Sequence, residues 1–183
     1  MHAVTTTHTR VRNLVLSALM LAVAYVLPFF TGNIPQIGSM LLPMHLPTLL
    51  CGFLCGGPWG AAVGFLAPLL RSLYVGMPKL YPTAVAMAVE MAVYGLVAGV
   101  LYFRLPGKGL GRIYASLVAA MLSGRVVWGI TMALITLTAG STFPMSAFVA
   151  GAFANAVPGI ILQLVAIPAI VFALERAGLI SRT

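Results

Sequence analysis

Apolar residues dominate six segments of the chain, and short runs rich in glycine, proline or charge separate these segments. Most of them approach the roughly 20 residues that a helix needs to cross a bilayer. The alternation of membrane β-strands is absent. The pattern therefore predicts an all-α integral membrane bundle of six transmembrane helices, forming a single domain over residues 1–183. The predicted spans are residues 14–30, 44–57, 59–75, 83–103, 113–138 and 146–174.

The second predicted span is the shortest, and Gly57-Pro58 is the break that ends it. Short or interrupted spans often line a transport site, because irregular backbone at membrane depth is tolerated around a cavity. Pro158 and Pro168 predict kinks in the sixth span.

The net charge of +8 could suggest nucleic-acid binding, but most of the basic residues lie in three short segments between or beside the apolar spans. Six spans put all three places on one side of the membrane, which is the positive-inside pattern of a multi-pass protein with both termini cytoplasmic. We therefore expect a protein of a prokaryotic cell membrane, in contact with lipid and not with nucleic acid. The basic residues in question are Arg10, Arg12, Arg104, Lys108, Arg112, Arg176 and Arg182.

The composition argues against an enzyme and against a metal site. Hydrophobic residues make up 61% of the chain and charged residues only 7%, and there are two glutamates and no aspartate. No phosphate-binding loop of the GxxxxGK[ST] type and no HExxH motif occurs. Cys51 and Cys55 lie one helical turn apart without further ligands nearby, so we expect buried small hydrophobes there. The sequence thus predicts no catalytic residue, no metal and no cofactor.

Glu90 and Arg125 are the two ionisable residues deepest inside the apolar segments. A charge at membrane depth is costly, and such residues usually face a partner, a cavity or a ligand. Counting residues puts Glu90 in the outer half of the fourth span and Arg125 near the middle of the fifth. Two interpretations stay open: the two side chains pair to hold their helices together, or at least one of them contacts a ligand.

Other polar or aromatic side chains are expected to join them around a cavity open to the outside. Each has a simpler interpretation as well: Asn155 as a hydrogen bond between helices, Tyr94 and Trp128 as packing, His45 as an interfacial residue, and Arg71 as a side chain that snorkels to the interface. The candidate substrate-binding residues are Glu90, Arg125, Asn155, His45, Tyr94, Trp128 and Arg71.

Several stretches resemble a known family. They include Ser17-Ala18-Leu19-Met20-Leu21-Ala22, Pro43-Met44-His45-Leu46-Pro47, and Met77-Pro78 with Tyr81-Pro82 ahead of Glu90 and Tyr94-Gly95. Together with the size and the six predicted spans, the whole chain resembles the substrate-binding S component of energy-coupling factor (ECF) vitamin transporters.

The resemblance implies a membrane scaffold subunit and two ATPase subunits as partners, which would hydrolyse the ATP. It also implies that Ala18 and Ala22 form a surface of small residues, here called the alanine stripe, that contacts the scaffold. Residues 31–43 would form a gate over the substrate. Small residues one turn apart do let helices approach closely, although the stripe would serve equally for packing within this bundle.

The resemblance predicts high-affinity capture of a micronutrient from outside and its ATP-driven delivery inward. A site with one cation and one anion suits a small ligand such as pantothenate, a pyridoxine-type vitamin, folate or a deazapurine, and the sequence does not choose among them. The alternative function is a stand-alone secondary transporter or channel that uses Glu90 as a proton or cation site. A purely structural membrane protein is the third possibility.

Overall fold

The computed structural model describes residues 2–31, 40–107, 109–140, 144, 146 and 156–180. Six α-helices longer than ten residues account for most of this part of the chain, which contains no β-strand, so the all-α prediction is confirmed. A 3-10 segment, Leu27–Thr31, follows the first helix, and a π-helical segment, Leu80–Ala84, precedes the fourth. The helices are α1 (His2–Val26), α2 (His45–Cys55), α3 (Gly57–Val75), α4 (Val85–Arg104), α5 (Leu110–Thr138) and α6 (Val157–Arg176).

The break between α2 and α3 lies at Gly56, one residue before the predicted Gly57-Pro58. Gly56 has φ 95°, a backbone conformation that side chains with a Cβ rarely adopt. Pro58 then stands in the first turn of α3, where its missing N–H leaves no helical hydrogen bond unmade. A sharp turn at Gly56 therefore separates the two helices. In the predicted sixth span, residues 147–155 lie outside the described residues, and α6 begins at Val157.

Four segments of the described chain are helices long and apolar enough to cross a membrane: His8–Phe30, Leu80–Arg104, Leu110–Thr138 and Val157–Arg176. The helix α2 has 11 residues, about 16 Å at 1.5 Å per residue, which is short of the roughly 30 Å hydrocarbon core. Arg71 and the prolines Pro58 and Pro68 lower the hydropathy of α3. The count of six spans and the cytoplasmic termini thus stay predictions.

Glycines bring the backbones of α2, α3 and α4 into direct contact. A Cβ on Gly60 of α3 would lie 2.7 Å from Cα of Gly52 on α2 and 2.8 Å from the carbonyl oxygen of Gly95 on α4. A Cβ on Gly95 would overlap the backbone of Gly60, and one on Gly64 would overlap that of Met91. Contacts this close exclude any larger residue, so these three helices form a tightly packed unit.

The largest hydrophobic cluster joins this unit to α5 and α6. It is built around Tyr94 and Phe53, with Leu117 from α5 and Ile167 from α6. Tyr94 is 1% exposed, and Gly124 of α5 lies directly against its ring. Tyr94, which directly precedes Gly95, therefore lies at the end of this core that faces the start of α2.

Tyr102, Arg112 and Glu175 form a polar cluster, here called the basic clamp, where α4 and α6 end and α5 begins. The Tyr102 hydroxyl donates a hydrogen bond to Glu175 Oε1 at 2.5 Å, and Arg112 Nη2 pairs with the same oxygen. Arg112 also donates to the carbonyl of Gly107 and lies over the Tyr102 ring, 4.4 Å from its centroid. The clamp ties three helices at one depth and so fixes their register.

Tyr102→Phe tests the contribution of the basic clamp to stability. The change removes one hydrogen bond to a carboxylate while the ring still fills its place, so we expect a loss of about 1.5–3 kcal/mol in unfolding free energy. A lower melting temperature of the purified protein in detergent measures it. Tyr114→Phe, at an exposed tyrosine of α5, is the matched control and is expected to melt like the wild type. Equal melting of both variants would contradict a stabilising role for the clamp.

Candidate functional site

Glu90 and Arg125 form an ion pair between α4 and α5. Arg125 Nη1 lies 2.9 Å from Glu90 Oε1, and the two residues are 5% and 1% exposed. Counting residues along each span had placed them at two depths, but in the structure they are in direct contact. The pair therefore neutralises two charges that would be expensive to bury separately.

His45 lies beside this pair, and Tyr94 packs against His45. His45 begins α2, and its Nε2 lies 3.8 Å from Glu90 Oε1, which is too long for a hydrogen bond. Its ring meets that of Tyr94 edge to face, with 5.2 Å between centroids. Three helices thus contribute to one buried polar cluster, here called the polar layer, consisting of His45, Glu90, Tyr94 and Arg125.

Part of the hydrogen-bonding capacity of the polar layer is unused among the described residues. Arg125 Nε and Nη2, and both ring nitrogens of His45, are buried and have no hydrogen-bond partner in that part of the chain. Nε and Nη2 are the two donors on one edge of the guanidinium, which matches a carboxylate bidentately. Buried polar groups of native proteins are nearly always paired, so these atoms point to a further partner.

Arg71 contacts the end of α1 and the 3-10 segment that follows it. Its Nη1 donates a hydrogen bond to the carbonyl of Tyr25 at 2.8 Å, and its guanidinium lies 4.7 Å from the centroid of the Phe29 ring. The last carbonyls of a helix lack partners within the helix, and Arg71 supplies one where α1 passes into the 3-10 segment. Its predicted contact with a substrate stays a prediction.

Trp128 is half-buried on α5, one turn from Arg125, and Asn155 lies outside the described residues. Both assignments stay predictions. So does a gate made of residues 31–43, since 32–39 also lie outside that part of the chain.

Ala18 and Ala22 lie on the exposed face of α1. Val15, Leu19 and Val26 share this face and are each about half exposed, whereas Ser17 packs inward and contacts Cys51. The described bundle therefore does not use the alanine stripe for its own packing, which was the competing interpretation. Whether a partner helix covers the stripe stays a prediction.

A helical bundle with four apolar spans and a buried, incompletely paired polar layer defines a multi-pass membrane protein with a candidate binding site. The family model of the ECF transporter substrate-specific component matches residues 12–181. The chain therefore belongs to that family, and the resemblance seen in its sequence is confirmed. Proteins of this family are transporter components and not enzymes. No curated protein and no solved structure matches the chain.

Proposed function

We propose that the chain is the high-affinity binding subunit of an ATP-driven importer of a vitamin or vitamin-like precursor. It captures the substrate from outside in the polar layer and delivers it inward with a membrane scaffold subunit and two ATPase subunits. The proposal includes six spans with both termini in the cytoplasm of a prokaryote. Membership of the substrate-specific component family supports the general role.

The observation that carries the binding site is the unused edge of Arg125. Its Nε and Nη2 are buried without a partner among the described residues, while Nη1 faces Glu90. A carboxylate or a similar acceptor group on the substrate would satisfy both donors at once. His45 and Tyr94 would flank that group, because His45 lies 3.8 Å from the same glutamate oxygen and its ring meets that of Tyr94 edge to face.

The same contact counts against the alternative in which Glu90 works alone as a proton or cation site. A glutamate paired with arginine at 2.9 Å already has its counter-ion, so a proton or a cation would have to displace Arg125 first. A transporter of that kind also needs polar groups that continue toward the far side. Between the polar layer and the basic clamp, the described cluster of α4 and α5 is apolar, with Ala98, Leu117, Ala120 and Met121, and Ser116 is the one buried polar side chain on those stretches of the two helices.

The test is a melting-temperature screen of the purified chain, without partner subunits, against water-soluble vitamins. We expect one ligand to raise the melting temperature strongly, and the same compound to be identified by mass spectrometry in the purified protein, because binding to the native state alone stabilises it. Absence of binding, combined with uptake driven by a proton gradient in vesicles that lack ATPase subunits, would support the stand-alone transporter instead.

Ala18→Trp tests the proposed contact with the scaffold. The indole would project from the exposed face of α1 and keep a partner helix at a distance, so we expect unchanged ligand affinity but loss of transport and of co-purification with the scaffold. Ala115→Trp is the matched control, since Ala115 is an exposed alanine on α5. Equal transport by both variants would remove the alanine stripe from the proposed interface.

A further inference from the structure

Gln163 of α6 is a buried polar residue that neither the ion pair nor the basic clamp uses. It is 1% exposed, and neither its amide nitrogen nor its amide oxygen has a hydrogen-bond partner among the described residues. The buried positions Gly159, Gln163, Ile167 and Val171 recur every four residues and so form one face of the helix. Gln163 therefore stands on the face that α6 turns toward the bundle.

The basic clamp sets the depth of Gln163. Tyr102, Arg112 and Glu175 meet at one level, so distances along α4, α5 and α6 can be counted from there. Glu90 lies twelve residues from Tyr102 and Arg125 thirteen from Arg112, which correspond to roughly 18 and 20 Å at 1.5 Å per residue. The observed contact between Glu90 and Arg125 agrees with this count.

The same count puts Gln163 at the level of the ion pair. It lies twelve residues from Glu175 along α6, again roughly 18 Å from the clamp. One turn earlier on the same face, a Cβ on Gly159 would meet the backbone of Met40 and Leu41, shortly before α2 begins at His45, and this contact supports the position. Glu90, Arg125 and Gln163 are thus three buried polar side chains at one depth on three adjoining helices.

We infer that Gln163 is a substrate-contacting residue, and that the substrate presents a carboxamide, ureido, lactam or imide edge to it. This inference rests on the proposed binding function and adds the chemical class of the ligand. A glutamine amide offers two N–H donors and a carbonyl acceptor, and an amide-type edge pairs with both kinds of group at once. The substrate then bridges α5 and α6, with an acceptor group on Arg125 and its amide edge on Gln163.

The experiment compares two sets of probes on the full chain. Biotin, pantothenate, folate, riboflavin and nicotinamide carry an amide-type edge, whereas lipoate, nicotinate and pyridoxine carry none. Biotin and lipoate are a close pair, since both end in a carboxylate chain and differ mainly in the ring. We expect the tightest ligand to come from the first set, and a tightest ligand from the second set overturns the inference.

Gln163→Met separates a ligand contact from a structural one, because methionine keeps the length of the side chain and removes both polar groups. We expect the affinity for the tightest probe to fall about 10- to 100-fold, the effect of losing a buried hydrogen-bond partner. The melting temperature of the ligand-free protein should stay the same or rise, since no internal bond is lost. Ser116→Ala, which removes another buried hydroxyl without a partner among the described residues, is the control and should leave affinity unchanged.

The remaining outcomes distinguish the inference from the proposed function. Unchanged affinity of Gln163→Met for a probe that wild type binds overturns the inference alone, and the binding function stands. A lower melting temperature of the ligand-free variant shows that Gln163 has a structural bond and also overturns it. If the wild type binds neither these probes nor any compound of the wider vitamin screen, the proposed function fails and the inference with it.

Discussion

Arg125→Met is expected to destabilise the protein strongly, whereas the double variant Glu90→Gln/Arg125→Met is expected to fold well and yet bind no ligand. The single change leaves Glu90, 1% exposed, without its cation. Removing one partner of a buried ion pair typically costs about 3–5 kcal/mol, while replacing both partners is often neutral. The melting temperature in detergent and the dissociation constant of the ligand from the vitamin screen measure the two effects separately.

Arg104→Met is the control for the loss of an arginine, because Arg104 is exposed at the end of α4. It is expected to change neither stability nor affinity. If the double variant recovers stability and also binds ligand with wild-type affinity, the ion pair is structural and Arg125 does not hold the substrate. If the single variant melts like the wild type, Glu90 must find another partner and the pairing is not what stabilises it.

Gly95→Ala is expected to disrupt the packing of α2, α3 and α4. Its new Cβ would overlap the backbone of Gly60, and neither backbone can move without shifting a whole helix. Forcing additional atoms into a packed interior typically costs about 1–3 kcal/mol, and contact with backbone leaves little room for relief. We expect a lower melting temperature and weaker ligand binding, since Gly95 follows Tyr94 directly.

Gly111→Ala is the matched control for this substitution. Gly111 lies on an exposed part of α5, and a Cβ there would meet no atom within 4 Å. Alanine favours a helix over glycine by about 0.8–1 kcal/mol, so this variant is expected to be as stable as the wild type or slightly more stable. Equal destabilisation by both changes would contradict the close approach of the Gly95 and Gly60 backbones as the cause of the loss.

The residues of the ion pair were recognisable from the sequence, but their contact was not. A charge inside an apolar segment is visible in one chain, and it drew attention to Glu90 and Arg125 alike. Their relative depth depends on how α4 and α5 are offset. That offset is fixed through Glu175 of α6, which binds both Tyr102 of α4 and Arg112 of α5 and lies 73 and 63 positions from them in the sequence. Counting from the predicted ends of the spans therefore placed the two charges at different levels.

The basic clamp was missed for a related reason. Tyr102, Arg112 and Glu175 lie near helix ends, where polar residues are ordinary and predict only a boundary with water.

Arg71 shows the reverse problem. Its position in α3 fits a ligand contact as well as a structural one, and only the fold reveals that the carbonyl of Tyr25 accepts its hydrogen bond.

The glycine contacts among α2, α3 and α4 restrict where the specificity of this protein can change. A substitution at Gly52, Gly60 or Gly95 meets backbone atoms, so these interior positions are closed to variation whatever ligand is to be bound. Arg125 of α5 belongs to the polar layer, and Gln163 of α6 is the residue inferred to contact the same ligand. Libraries designed to redirect the protein to another substrate should accordingly randomise positions around Arg125 and Gln163 and keep the glycines constant.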